Sequence, residues 1–284
     1  MKKHLLLAAA FLTAVSFIAC DNETENGDNN NDNNNVTLPS NVKSVKRLKH
    51  TYESFGHSTT NTFRFEYDSQ NRISKAEWWG GDAEFAYNGK RLTITYPDYQ
   101  GEGPVVMELN DDGFVTDFEY LYDVNENIVG NVHCSYNNGY FTSVSAGIGG
   151  DNGAILHFEW NDGLLTSVNN RRTLGNESDI PETEYTFVYD ETAPDVTPIN
   201  IDILHSFFDP TDFNEALPIG TFGFFGRQSR LYPVKVSRIW RRDGELDYES
   251  TQEIFCEFNP DGTPSKIEIV NGADDESFIY EFFY

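Results

Sequence analysis

Cysteine is scarce, with three in 284 residues, so a disulfide-dense scaffold is excluded. Methionine is scarcer still, with two. Met and Ala thin out after the first twenty residues, which argues against a helical domain. Basic side chains are outnumbered, 20 Lys and Arg against 46 Asp and Glu, for a formal charge of −26. So acidic a surface repels phosphate backbones, and nucleic acid is excluded as a partner. It also repels anionic headgroups, so no basic patch supplies membrane contact. The six histidines are His4, His50, His57, His133, His157 and His205. None stands in a His-x-His or His-Glu-x-x-His pattern, and there is no Cys-x-x-Cys, so no metal site is expected. No Gly-x-Ser-x-Gly elbow is present, and Gly147-Ile148-Gly149-Gly150 lacks the strand-to-helix setting of a dinucleotide loop. No cofactor is expected and no catalytic residue stands out.

Long apolar runs are missing too, with one partial exception. Leu5 through Ala19 carries no charge and follows the basic start Met1-Lys2-Lys3-His4. A membrane span needs about 20 helical residues. This run is shorter and fits a signal peptide over residues 1–19. It ends Phe17-Ile18-Ala19-Cys20, which resembles the lipobox of bacterial lipoproteins. Cys20 is therefore the expected lipidation site, and the membrane is a partner through that lipid alone.

Residues 20–40 read as a tether. Asp21 to Asn35 holds eight Asn, five acidic residues and no aliphatic or aromatic side chain. Such a segment cannot offset its ordering entropy by burial, so disorder is expected. As a flexible coil, its fifteen residues reach roughly 20 Å. An acidic run after a lipidated Cys resembles the surface-export signal of Bacteroidota lipoproteins. It implies an outer-membrane lipoprotein exposed at the cell surface.

Residues 41–284 read as a single all-β domain. The chain has 22 Phe and 15 Tyr, mostly in segments that favour strands. One unit recurs: an aromatic or Leu, a turn signal, then a short apolar strand. Tyr67-Asp68, Tyr87-Asn88-Gly89, Leu109-Asn110-Asp111-Asp112-Gly113 and Tyr136-Asn137-Asn138-Gly139 open four such units. Trp160-Asn161-Asp162-Gly163 and Phe258-Asn259-Pro260-Asp261-Gly262 open two more, and Arg242-Asp243-Gly244 marks a further turn. Asn-Gly and Asp-Gly accept the backbone of tight hairpin turns. The strands alternate, as in Phe63-Arg64-Phe65-Glu66-Tyr67, so one face meets a core and the other is wet. An antiparallel meander follows, forming a large curved sheet or a partly closed barrel, since open edges are a liability. The strands themselves read as about six residues long, against the 9–11 of a membrane-spanning barrel.

The rhythm lapses between Pro194 and Pro233. Asn200 suits a helix cap, and Ile201, Leu204 and Phe208 share a helical face that Pro210 would end. A Gly/Phe-rich run, Leu217 to Gly226, follows. One short helix and an apolar loop near 200–226 are expected, covering the end of the sheet as a plug. The alternative is a loop lining a ligand site.

The repeated Tyr-Asp/Asn units resemble the YD-type hairpins of RHS-like proteins. Together with the lipobox, the acidic tether, Ile199-Asn200-Ile201-Asp202, the Gly226-Arg227-Gln228-Ser229 turn before Tyr232-Pro233 and the aromatic last strand, they resemble an uncharacterised Bacteroidota lipoprotein domain family of porin-like fold. The resemblance implies a barrel-like sheet and no particular activity.

Three tryptophans are candidate ligand-binding residues. Trp78 and Trp79 are adjacent, so a strand would turn one to the core and one outward. An exposed Trp stacks on a sugar ring or a protein partner; otherwise the pair is an aromatic hairpin edge. Trp240, in Arg238-Ile239-Trp240-Arg241-Arg242, is either a cation–π platform or a packed residue beside a solvated basic cluster. Cys134 and Cys256 sit in expected strands; an oxidising envelope permits a disulfide, and free buried thiols are the expectation. The leading function is a non-catalytic surface binding or scaffold module for a glycan or protein ligand. The alternative is a hydrolase using paired carboxylates in a sheet crevice. A spanning barrel, closed by the aromatic last strand, is a third reading. The oligomeric state is not encoded legibly.

Overall fold

The computed structural model describes residues 42–78, 81–97, 104–123, 128–148, 151–172, 182–200, 224, 226–242, 244–271 and 276–284. The turn signals act as read. Asp68–Arg72, Asn110–Phe114 and Asn259–Thr263 adopt one five-residue loop. In each, the first N–H donates to the fifth carbonyl and the fourth N–H to the first carbonyl. The fourth residue, Asn71, Gly113 or Gly262, takes a positive φ. Asp68 and Asn110 also accept two backbone N–H bonds each through a side-chain oxygen, which fixes the chain reversal locally.

Between the turns run sixteen strands. They are β1 Arg47–Ser54, β2 His57–Tyr67, β3 Ile73–Trp78, β4 Gly81–Asn88, β5 Arg91–Thr95, β6 Val105–Leu109, β7 Val115–Asp123 and β8 Ile128–Asn137. The second half comprises β9 Tyr140–Ile148, β10 Asp151–Asn161, β11 Leu164–Arg172, β12 Glu182–Val188, β13 Lys235–Arg242, β14 Glu245–Phe258, β15 Pro264–Asn271 and β16 Glu276–Phe283. Every strand pairs antiparallel with its sequence neighbours, and β1 pairs with β16 from Arg47↔Phe283 to Ser54↔Glu276. The meander is therefore a closed barrel. Closure removes the sheet edges. Of the two forms the alternation allowed, the barrel is the one adopted, and it closes fully.

The strands are longer than read. Seven run nine residues or more, up to 14 in β14. The reason is that apolar alternation marks only the half of a strand that meets the core. In β2, His57–Thr60 is exposed yet still pairs with β1. Strand length therefore does not exclude a membrane span.

The polarity of the wall decides more. Alternate residues of each strand, among them Leu48, Phe65, Phe85, Ile94, Met107 and Phe118, are buried in one continuous core on the inner face. The other parity faces out and is largely polar: Lys49, Arg64, Lys75, Glu84, Glu108, Asp117, Glu253, Lys266 and Glu281 lie there, with exposed Val188, Phe255 and Phe283 among them. Cross-strand ion pairs run over this surface. Lys49 pairs with Glu281, Lys75 reaches Asp82 at 2.7 Å, and His133 meets Asp117 at 2.7 Å. A barrel in lipid has the opposite arrangement, an apolar band outside and polar residues within.

The hairpin turns of β2–β3, β4–β5, β6–β7, β8–β9, β10–β11 and β14–β15 share one end of the barrel with the starts of β1 and the end of β16. The connection from β12 to β13 crosses that end and is tied to the rest. Thr197 N–H donates to Gly262, Lys43 N–H to Pro198, Arg230 N–H to Gly163, Arg227 N–H to Gly139 and Val115 N–H to Phe224, at 2.8–3.0 Å. Ile199, Phe224 and Leu231 are buried, and Phe224 packs 6.2 Å from Phe85. The described flanks of the connection thus dock on this end as a plug. The expected helix over 200–210 and most of the Gly/Phe-rich run lie outside the described residues, among which no helix occurs. Asn200, the expected cap of that helix, is itself described. Its Oδ1 accepts Val45 N–H at 2.9 Å, holding the strand entry to the plug.

Candidate functional site

The tyrosines of the repeat are latches. Tyr136 at the end of β8 donates its hydroxyl to Val115 O at 2.5 Å, and Tyr189 after β12 donates to Leu165 O at 2.7 Å. Tyr284 after β16 donates to Pro264 O at 2.8 Å, and Tyr67 bonds Val45 O in the same way. Trp160 substitutes an indole N–H, reaching Phe141 O at 2.7 Å. In each case the aromatic lies at the end of a returning strand and ties a residue within two positions of the start of an outgoing one. Burial pushes the Tyr67 and Tyr136 hydroxyls up, so they stay protonated donors. Tyr87 is the exception: its hydroxyl is buried without a partner, under the Arg72 guanidinium 4.1 Å from the ring. The repeated aromatics therefore serve the plugged end of the fold.

The opposite end of the described strands is termed the mouth. There the inner face turns from aliphatic to aromatic and polar. His50 of β1 stacks on Tyr280 at 4.7 Å and lies 6.1 Å from Phe278, with Nε2 buried and unpartnered. Burial lowers its pKa below the usual value. Tyr52 donates to Glu276 at 2.6 Å. On β13, Val236, Arg238 and Trp240 share the inner parity, and Val236 is fully in the core. Arg238 lies 4.3 Å from the Trp240 ring centre and 5.6 Å from that of Tyr185. Its Nε and Nη2 are buried and make no hydrogen bond, and neither does Trp240 Nε1. Tyr248, paired with Trp240 across β13–β14, meets the indole edge-on at 6.2 Å.

Of the sequence candidates, Trp240 thus sits in this wall as a cation–π partner, and its solvated neighbour is corrected in one respect. Arg238 is not part of a solvated cluster; it faces inward. Alternation from Val236 carried that signal. Trp78 ends β3 opposite Gly81, its ring lies outside the described residues, and so do Trp79 and Cys20. Cys134 and Cys256 are free thiols. Burial raises both, Cys256 to about 12, so neither is a ready nucleophile.

The carboxylates with shifted acidity are Asp68, Asp190 and Asp261. Burial opposes ionisation of Asp68, but bonds from Arg72 and Gln70 outweigh it and leave it below the usual range. Thr192 and Thr263 lower Asp190 and Asp261 by hydrogen bonding. All three are turn residues. Among the described residues no group of three His, Cys, Asp or Glu stands ready for a metal.

The closed sixteen-strand meander matches known structures. The fold is that of porin-like proteins from Bacteroides. One, from Bacteroides uniformis, aligns with a TM-score of 0.61 at 12% identity, over 84% of this chain and 97% of the other. Another, from Bacteroides vulgatus, aligns at 0.56 and 15% identity, over 85% and 98%. No family model matches the sequence, and no curated protein does. At these identities the porin-like likeness is one of fold.

Proposed function

We propose that this protein is a lipid-anchored display module: a non-catalytic barrel that water surrounds, held to the envelope through Cys20, with a ligand-binding mouth directed away from the anchor. The observation that carries it is the polarity of the wall. Charged side chains on the outer face would cost roughly 2–4 kcal/mol each for Arg or Lys at a bilayer midplane. Among the described residues, the inner face at the plugged end is a packed apolar core, unlike the polar interior of a porin.

The anchor reading rests on the lipobox and the acidic tether. It also fits the geometry. The first described residues, from Val42, enter at the plugged end, so β1 leads from the tether toward the mouth. Eight strand residues span about 26 Å, less with tilt. The aromatic mouth around Trp240 is then the part presented outward, to a glycan or a protein.

The test is Cys20→Ala in a precursor with an ordinary cleavage site. The product should appear in the soluble envelope fraction, monodisperse without detergent, whereas the wild-type chain carries an acyl adduct on its first residue by mass spectrometry. A variant that still needs detergent would remove the water-surrounded barrel, and a wild-type chain without the adduct would remove the anchor.

A further inference from the structure

We propose that Arg238 and Trp240 form a carboxylate site inside the mouth, which takes a small ring-bearing monocarboxylate of the acidic-sugar kind. The proposal rests on the display reading and names what the mouth would hold. It starts from three buried donors without acceptors: Arg238 Nε, Arg238 Nη2 and Trp240 Nε1. Buried polar groups are almost always paired, so orphans call for a missing partner. All three are donors, so the missing partner is an acceptor.

The two arginine atoms matter as a pair. Nε and Nη2 are the two nitrogens of one edge of the guanidinium, the edge that meets two oxygens of one anion side by side. A planar carboxylate fits that fork. The chain's own carboxylates on the flanking strands do not reach it. Glu184 and Glu249 pair with Ile239 and so take the outward parity, while Tyr185 and Ser250 stand opposite Arg238. No ion pair to Arg238 occurs among the described residues. Aromatic faces of Trp240 and Tyr185 support the cation instead, which offsets only part of the loss of water.

The aromatic rim selects for a ring. Trp240 and Tyr248 lie where β13 and β14 project, because Glu245–Thr251 of β14 pairs with β13 but not with β15. Tyr248 is 39% exposed there. A pyranose ring carrying its carboxylate inward would place acid on the guanidinium and ring against the aromatics. The protein's charge of −26 repels anions in proportion to their charge, so a long polyanion is disfavoured far more than a ligand with one acidic group.

The experiment uses the mature full-length chain, labelled with nitrogen-15. Nuclear magnetic resonance follows the Trp240 indole N–H, assigned by Trp240→Phe, and the Arg238 Nε–H. The probes are methyl glucuronide, methyl glucoside and inorganic phosphate. Glucuronide should shift both signals saturably and bind at least about tenfold tighter than glucoside. Arg238→Gln should erase that preference. Arg238→Lys should restore only part of it, since it keeps the charge but loses the fork. The wild-type selectivity tests the idea even if a variant does not fold. Equal binding of glucoside would overturn the anion site while leaving the display module standing. Phosphate binding as tightly as glucuronide would overturn the carboxylate class. Signals unmoved by any probe would overturn the site altogether. The Cys20→Ala experiment judges the display reading separately.

Discussion

Two tyrosines with the same place in the repeat have opposite energetics. Tyr136 gives its hydroxyl to a backbone carbonyl; Tyr87 buries a hydroxyl that bonds nothing. Tyr136→Phe should lose about 1–1.5 kcal/mol, the usual net worth of a buried hydrogen bond plus an orphaned carbonyl. Tyr87→Phe should be neutral or slightly stabilising, because it removes an unpaid desolvation. Urea unfolding of the two variants checks the contrast, and equal losses would contradict the latch. His50 is a second residue-scale case. Burial between Tyr280 and Phe278 holds it neutral below its ordinary pKa. The unfolded chain takes up the proton near 6.5, so the native state binds fewer protons on the acid side of that value. Stability from His50 is thus complete above about pH 6.5 and is lost as the pH falls from there toward the folded pKa. Thermal unfolding of His50→Phe should show a flatter acid limb than wild type.

At the scale of elements, the plug and the turns form one contact surface. Gly226 lies against the β8–β9 turn, and a Cβ there would meet Gly139 O and Phe141 N at 3.0 Å, at a φ of +91°. Both neighbours are backbone and cannot swing away. Gly89 has a φ of +59° with nothing within 4 Å of its added Cβ. Gly89→Ala should cost about 1–2 kcal/mol, the strain of the left-handed backbone alone. Gly226→Ala should cost clearly more, since the plug must shift off the turn. Denaturant midpoints of the pair read this directly; a smaller loss at Gly226 would mean the plug docks loosely. The turns were legible in sequence because each is encoded within five residues, as in Asn259 to Thr263. The length of β2 and β14 was not, because exposed strand residues such as His57–Thr60 carry no alternation. The inward turn of Arg238 was legible in principle from its parity with Val236, but a run of three arginines within five residues reads as surface.

For the whole molecule, the decisive property is which way the wall faces. Closed sixteen-strand barrels share a topology with porins, yet apolar residues here fill the inside and ion pairs cover the outside. The exposed pairs add little stability, about 0–1 kcal/mol each, and act mainly to keep the wall wet. On the proposed reading, in which such a wall stays in water and Cys20 carries the anchor, Cys20→Ala should release a protein that needs no detergent.

By itself the sequence determined the meander, its turns and the two-faced strands, because those depend on neighbours a few residues apart. The expectations of a leader, of lipidation at Cys20 and of an acidic tether rest on linear patterns alone. Only the tertiary structure decided that β1 meets β16 and seals the sheet. That register joins residues more than two hundred positions apart, such as His50 and Tyr280, and no local period encodes it. The same closure sets Arg238 beside Trp240 with its fork unpaired, since a donor lacks a partner only relative to everything folded around it.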